Sequence, residues 1–191
     1  MSKNYIKPED SLTDIKHTAF SLLKRAANDT RSAMRFVTMA THETTLINLR
    51  TVVFRKFDEE SGSALIYTDV RSNKVKELEK NEQVTLLAYD KGHKIQIKLT
   101  GKAIIHHKNE KSEAHWKSLN GGKEAYNTTK APGSAVQTLD RAHAYKNDYD
   151  DEYFAVIEVL INKMEVLQLD GTEHIRTLFN LSENKSSWLV P

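Results

Sequence analysis

Two stretches of this 191-residue sequence carry residue types and spacings suited to chemistry. The first is the run 46–57, Leu-Ile-Asn-Leu-Arg-Thr-Val-Val-Phe-Arg-Lys-Phe, in which Arg50, Arg55 and Lys56 interrupt an otherwise apolar pattern. β-Branched and aromatic residues crowd it and neither Gly nor Pro breaks it, so it reads as one strand. A guanidinium on a rigid strand presents a planar fork of donors and keeps its charge at any working pH, which suits it to a phosphate. The alternative is a two-sided strand whose arginines end in solvent or in ion pairs. Arg50 and Arg55 are an odd number of positions apart, so on a regular strand they face opposite ways and do not both grip one phosphate. The second stretch is Asp69-Val-Arg-Ser-Asn-Lys74, which runs into helical spacing at Val75 and Leu78 with Ser72 as the predicted N-cap. Free backbone N–H groups flanked by Arg71 and Lys74 make an anion site there; an ordinary capped surface helix is the other reading.

Other chemistries find no support. There is no G-x-S-x-G, no metal-spaced His pair and no Gly-rich phosphate loop. His106 and His107 are neighbours on a predicted strand and point to opposite faces, so no metal is expected. The absence of cysteine excludes disulfides, thiolate ligands and a Cys nucleophile, and fits a reducing cytoplasm. With 28 Lys+Arg against 26 Asp+Glu, charge is nearly balanced, and neither nucleic acid nor a membrane surface is an expected partner. Residues 1–8 lack a signal-peptide core and no apolar run approaches a membrane span, so a cytoplasmic protein is expected.

The elements that must position these residues follow from pattern. Residues 1–32 give an N-terminal helix, from Ser11 to about Asn28, with Leu12, Ile15, Ala19, Leu22, Leu23 and Ala26 on one face and Asp14 answering the Ser11 cap. Residues 33–191 give the rest of one domain. Strands are expected at 34–41, 46–57 and 64–68, joined as a meander, then at 84–89 and 94–105. In the last of these Ile95, Ile97 and Leu99 alternate with Gln96, Lys98 and Thr100, and Gly101 marks a bulge or close approach. A helix around Trp116, a loop over 120–137 and a short helical piece near 139–145 precede further strands at 153–169, 174–179 and 186–191. Trp116 and Trp188 read as packing residues. About seven sequential strands with helices at the connections describe a mainly β protein, a closed or nearly closed antiparallel barrel with peripheral helices.

Five short motifs in register then carry a resemblance. Arg50-Thr-Val-Val-Phe-Arg55, Ile66-Tyr-Thr68, Ser72-Asn-Lys74 with Leu78 and Asn81, Gln96 in a strand leading to Gly101, and His174-Ile-Arg176 occur in the order of the FMN-binding split barrels related to pyridoxamine 5′-phosphate oxidase. The resemblance spans residues 34–191 and is closest to an oxidase-like branch rather than to the oxidase itself.

This resemblance implies FMN as cofactor, bound by Arg50, Thr51, Val52, Val53, Arg55, Tyr67, Thr68, Asn73, Lys74, Gln96 and Arg176, in a homodimer with the flavin at the interface. Asn73 stands where an arginine is usual. It implies a small-molecule substrate, phosphorylated or not, met by Arg55, Tyr126, Lys130, Ser134 and His174. Thr172 replaces the arginine that pairs with this histidine in the oxidase, and the tryptophan expected near Val166 or Leu167 is missing. The implied activity is flavin-dependent oxidoreduction of an unspecified substrate. A true pyridoxine or pyridoxamine 5′-phosphate oxidase, and a non-catalytic barrel binding haem or another ligand, stay open at this point.

Overall fold

The computed structural model describes residues 4–43, 45–171 and 173–191. The turn 42–45, the run 172–174 and the N-terminal run 1–8 therefore include residues outside the described set. Helix α1, Leu12–Asn28, begins at a capping box: the Ser11 hydroxyl accepts from the Asp14 N–H at 3.2 Å and the Asp14 carboxylate accepts from the Ser11 N–H at 3.1 Å. Its buried face, including Ile15, Phe20 and Leu23, joins the main core, where Phe20 meets Phe57 at 5.2 Å between ring centroids.

Among the described residues, nine strands follow the expected chain order with more pieces than the pattern suggested. They are β1 (Phe36–Glu43), β2 (Leu46–Val53), β3 (Lys56–Asp58), β4 (Ser63–Asp69), β5 (Gln83–Asp90), β6 (Ile95–His107), β7 (Phe154–Gln168), β8 (Ile175–Asn180) and β9 (Lys185–Leu189). Every described ladder is antiparallel, and the order is β2-β1-β5-β6-β7-β4-β3, with β8 on the far part of β7 and β9 on β8. The expectation of about seven strands is corrected to nine, and the run 46–57 is two strands rather than one.

The split has a hydrogen-bonding cause. The Phe54 N–H donates to the Arg35 carbonyl beside β1 at 2.8 Å, whereas the next N–H, of Arg55, donates to the Leu65 carbonyl of β4 at 2.9 Å. One chain segment thus leaves one ladder and enters another within two residues, with Phe54 fully buried at the break. The ladder itself does not close, since β2 and β3 form its two edges, but those edges are successive pieces of the same segment.

The main core lies inside the curled sheet, built from inward residues such as Val37, Met39, Ile66, Ile97 and Val166. A smaller cluster of Leu65, Tyr126, Phe154 and Val156 lies on the other side of β4 and β7, with Tyr67, Trp116 and Leu119 against it. It sits beneath α3 (Glu110–Lys117). Helix α2 (Asn73–Lys80) packs on β1, and α4 (Leu139–Ala142) is a single turn in the long connection before β7. Among the described residues no helix is long and apolar enough to cross a membrane, and no cluster of His, Asp and Glu could hold a metal.

Gly101 marks a bulge, as its sequence position suggested. Thr100 pairs with Lys163 but Gly101 pairs with Ile161, so Asn162 is an extra residue in β7. A Cβ at Gly101 would stand 2.0 Å from the Leu160 carbonyl oxygen, a backbone atom with little room to yield. Gly101→Ala is therefore expected to destabilise the fold by about 2–3 kcal/mol through overpacking, measured as a lower urea midpoint with an unchanged slope.

Candidate functional site

The residues singled out in the sequence fall into three groups. The first gathers at the start of α2. Arg50 shares a face of the β1–β2 hairpin with Met39, its register partner, and so points inward. It bonds Glu77 of α2 at 2.7 Å and also donates to Thr41, which in turn donates to Glu77; Asn48 adds a bond to Glu77 at 2.8 Å. Glu77 is buried. Burial alone would raise its pKa, but the bonds from Thr41, Arg50 and Asn48 hold it below the usual carboxylate value. The Arg50 charge is thus already answered by protein.

Lys74 is different. Its ammonium donates to the Thr68 hydroxyl at 3.0 Å, and among the described ion pairs it has no part. Burial and the nearby Arg50 charge lower its pKa, partly offset by Asp69 and Glu77. Ser72 takes the N-cap position of α2 but makes no side-chain cap bond; its hydroxyl lies 3.3 Å from that of Thr68. The helix start therefore offers N–H groups, two buried hydroxyls and a partly buried ammonium in one place. Asn73 lies beside Gly133 of the long connection. Arg71, expected to decorate this site, is engaged elsewhere: it pairs with Asp69 at 2.6 Å, bonds the Thr128 carbonyl and covers the Tyr153 ring at 3.5 Å.

The second group surrounds Arg55 in the smaller cluster. Its guanidinium lies 5.4 Å from the Tyr67 ring centroid, and its charge works against the upward push that burial gives the Tyr126 hydroxyl's pKa. The Arg55 Nε is buried without a hydrogen-bond partner among the described residues. The Tyr67 hydroxyl lies 2.8 Å from His115 Nδ1 on α3. Sequence reasoning missed His115 and Glu77. Only helical phase hinted at Glu77, since Asn73 and Glu77 stand one turn apart on α2.

The third group lies on the outer face of the sheet. Gln96, Leu167 and Arg176 stand opposite one another across β6, β7 and β8, and Arg176 bonds Glu165 at 2.8 Å, the same carboxylate that pairs with Lys98 at 2.7 Å. Thr51 shares that face through the row Thr51–Thr38–Leu87–Lys98–Glu165; Val53 stands on it and Val52 points to the core. Lys130 and Ser134 are exposed on the long connection and do not meet the buried Tyr126 environment. His174 Nδ1 accepts the Asp170 N–H of its own turn at 3.1 Å. Trp116 packs against Phe154, as expected, whereas Trp188 is 52% exposed on the terminal strand and is not a core residue.

Comparison with known proteins places this arrangement beside a known domain. The model of the pyridoxamine 5′-phosphate oxidase FMN-binding domain matches residues 17–107, which contain the whole of the first group, Arg55, Tyr67 and Gln96. Residues 17–107 thus resemble that domain. The chain also resembles a pyridoxamine 5′-phosphate oxidase-related, FMN-binding protein of Nostoc punctiforme, at 18% identity and a TM-score of 0.75 over 91% of this chain and 96% of that one. PhzG from Burkholderia lata, solved with tetrahydrophenazine-1-carboxylic acid, is similar at 18% identity and a TM-score of 0.74 over 100% and 98% of the two chains. No curated protein matches the sequence.

FMN is the cofactor of this domain, and the residues fit it. Its phosphate carries nearly two negative charges and calls for charge-assisted donors. Lys74, the α2 N–H groups and the hydroxyls of Thr68 and Ser72 supply such donors without a competing carboxylate on Lys74. Arg50 contributes positive potential while remaining bound to Glu77.

That ion pair makes a testable demand. Glu77→Ala leaves a largely buried guanidinium without its counter-charge and is expected to cost about 2–3 kcal/mol of stability. The sign with pH follows from the lowered Glu77 pKa. Its contribution is complete above 4.5, the ordinary carboxylate value, and is lost as pH falls through the lower folded value. Glu77→Gln should therefore flatten the acid limb of a stability-against-pH curve measured by urea unfolding.

Proposed function

We propose that this protein is a flavin-dependent oxidoreductase acting on a small anionic substrate. The observation that carries it is a pair of partly buried cations outside the described ion pairs: Lys74 at the start of α2, suited to the FMN phosphate, and Arg55 between Tyr67 and Tyr126, suited to an anionic group on the substrate. A desolvated cation lacking an acid partner is costly in an unliganded fold, and a site retains it where an anion completes it. The bound flavin supplies two-electron chemistry. The chain supplies binding and orientation: Lys74 and α2 fix the phosphate, Gln96 presents an amide to the ring, and Arg55 with Tyr126 orients the substrate.

The three groups are spread over β2 with α2, β3 with β4, and β6 with β8, and the reading joins them through a second copy of the chain. The outer face of the β1–β2 hairpin exposes Phe36, Ile47 and Leu49, at 61%, 73% and 67%, on the side that carries Thr51. An apolar patch of this kind marks an interaction surface. A homodimer would bring the Gln96–Arg176 face of one copy to the α2 site of the other. The lack of cysteine accords with work in a reducing cytoplasm. Two features separate the chain from a true pyridoxamine 5′-phosphate oxidase: Thr172 in place of an arginine, and a His174 that is held by its own turn.

The purified protein is expected to show flavin absorbance or to quench added FMN; absence of both removes the reading. Lys74→Ala should weaken FMN binding by about 1.5–3 kcal/mol in a fluorescence titration. Arg50→Ala should act mainly on stability, because its charge is spent on Glu77. Leu49→Lys should shift the sedimentation coefficient from dimer to monomer and lower FMN affinity with it. Peroxide release from pyridoxamine 5′-phosphate and oxygen should be slight, and robust turnover would identify the oxidase instead.

A further inference from the structure

The family pattern accounts for Arg55 and Tyr126 but leaves α3 without a role. The connection from the end of β6 to Tyr126 closes over the smaller cluster, and connections of this kind often carry function. It includes α3, which delivers His115 Nδ1 to the Tyr67 hydroxyl at 2.8 Å. Tyr67 is held from the other direction by Phe154, edge to face at 5.3 Å, and its ring carries the Arg55 guanidinium. Arg55 is thus placed by two tyrosines, and α3 anchors one of them.

We propose that His115 is a positioning residue for the anion site at Arg55, and that its protonation tightens this site. The inference rests on the reading that Arg55 receives the anionic group of the substrate. When His115 is neutral with its proton on Nε2, Nδ1 accepts the Tyr67 hydroxyl proton. When it takes a proton from solvent at Nδ1, that N–H donates to the phenol oxygen. The hydroxyl is then released to donate toward an anion on Arg55, and a positive charge is added one ring away. No covalent bond other than N–H forms.

The surroundings of His115 set where this happens. Burial lowers its pKa from the ordinary 6.5, followed by the charges of Lys56 on β3, Lys111 on α3 and His106 on β6, while Glu158 on β7 opposes them. Glu158 is itself engaged by His106 at 2.8 Å and Lys111 at 2.5 Å, so it answers His115 only in part. His115 is therefore neutral near pH 7 and charges on the acid side of 6.5. Because a bound anion favours the charged form, anion affinity must rise as pH falls through that range.

Sulfate serves as the probe, since it does not titrate between about pH 5 and about pH 8, where the histidine does. It is added to the FMN-saturated protein, and binding is read from the Arg55 Nε–H resonance, assigned by its loss in Arg55→Lys. The wild-type dissociation constant should fall about three- to tenfold from the upper to the lower pH. His115→Asn, which keeps an amide near Tyr67 but does not titrate, should bind with a flat pH profile, and Tyr67→Phe, which keeps the histidine's charge but not the hydroxyl, with a shallower one than the wild type. A wild-type slope in both variants, or an Arg55 resonance unmoved by sulfate at every pH, overturns the proposal. If the chain takes up no FMN and yet sulfate moves Arg55 with the expected slope, the flavin reading fails and this one stands.

Discussion

The site depends on the hand-over of backbone hydrogen bonds at Phe54 and Arg55. A strand that bonded only to β1 would carry Arg55 along the same ladder as Arg50. By passing its next N–H to Leu65, the chain enters the β4 side instead, and Arg55 ends over Tyr67. Arg50, upstream of the break, stays with Thr41 and Glu77 beneath α2. One buried phenylalanine thus separates a cation paired with a carboxylate from a cation resting on an aromatic ring.

Charge accounting explains why the two are treated differently. Arg50 and Lys74 are close enough to depress the Lys74 pKa, and without Glu77 the start of α2 would hold two uncompensated charges. Glu77 removes one of them in place. What remains, one ammonium with helix N–H groups and hydroxyls, is matched to a dianion without making the ligand-free fold prohibitively strained by repulsion. At Arg55 the surroundings are aromatic rather than acidic, so the guanidinium keeps its charge available and rests on π faces.

Local signals in the sequence were legible where short-range physics decides. The Ser11–Asp14 box, the alternation Ile95, Ile97, Leu99, and the close approach at Gly101 all appear as read. The break in the run 46–57 was not legible, because no Gly or Pro interrupts it and only the distant carbonyls of Arg35 and Leu65 decide which ladder each N–H bonds to. Partners far apart in sequence were hidden likewise: Glu77 for Arg50, and His115 for Tyr67. The motif spacing placed Tyr126, Lys130 and Ser134 together, yet burial separates the first from the other two. Trp188 misled because composition says nothing of whether a terminal strand has a neighbour to pack against.

The bulge opposite Gly101 gives β7 two reading frames. Before Asn162 the odd residues Ile157, Val159 and Ile161 belong to the main core, and Phe154 and Val156 face the smaller cluster; after it the even residues Met164 and Val166 turn inward and Glu165 turns out. A single strand can therefore floor the Arg55 cluster at one end and hold Arg176 on the outer face at the other. Its two halves are out of phase by one residue, so the strand tolerates exchange of side chains far better than change of length. Loss of Lys163 or Met164, between the bulge and Glu165, would turn inward the carboxylate that binds Lys98 and Arg176 and turn Val166 out of the core, which makes the length of β7 a more exacting inheritance than its composition.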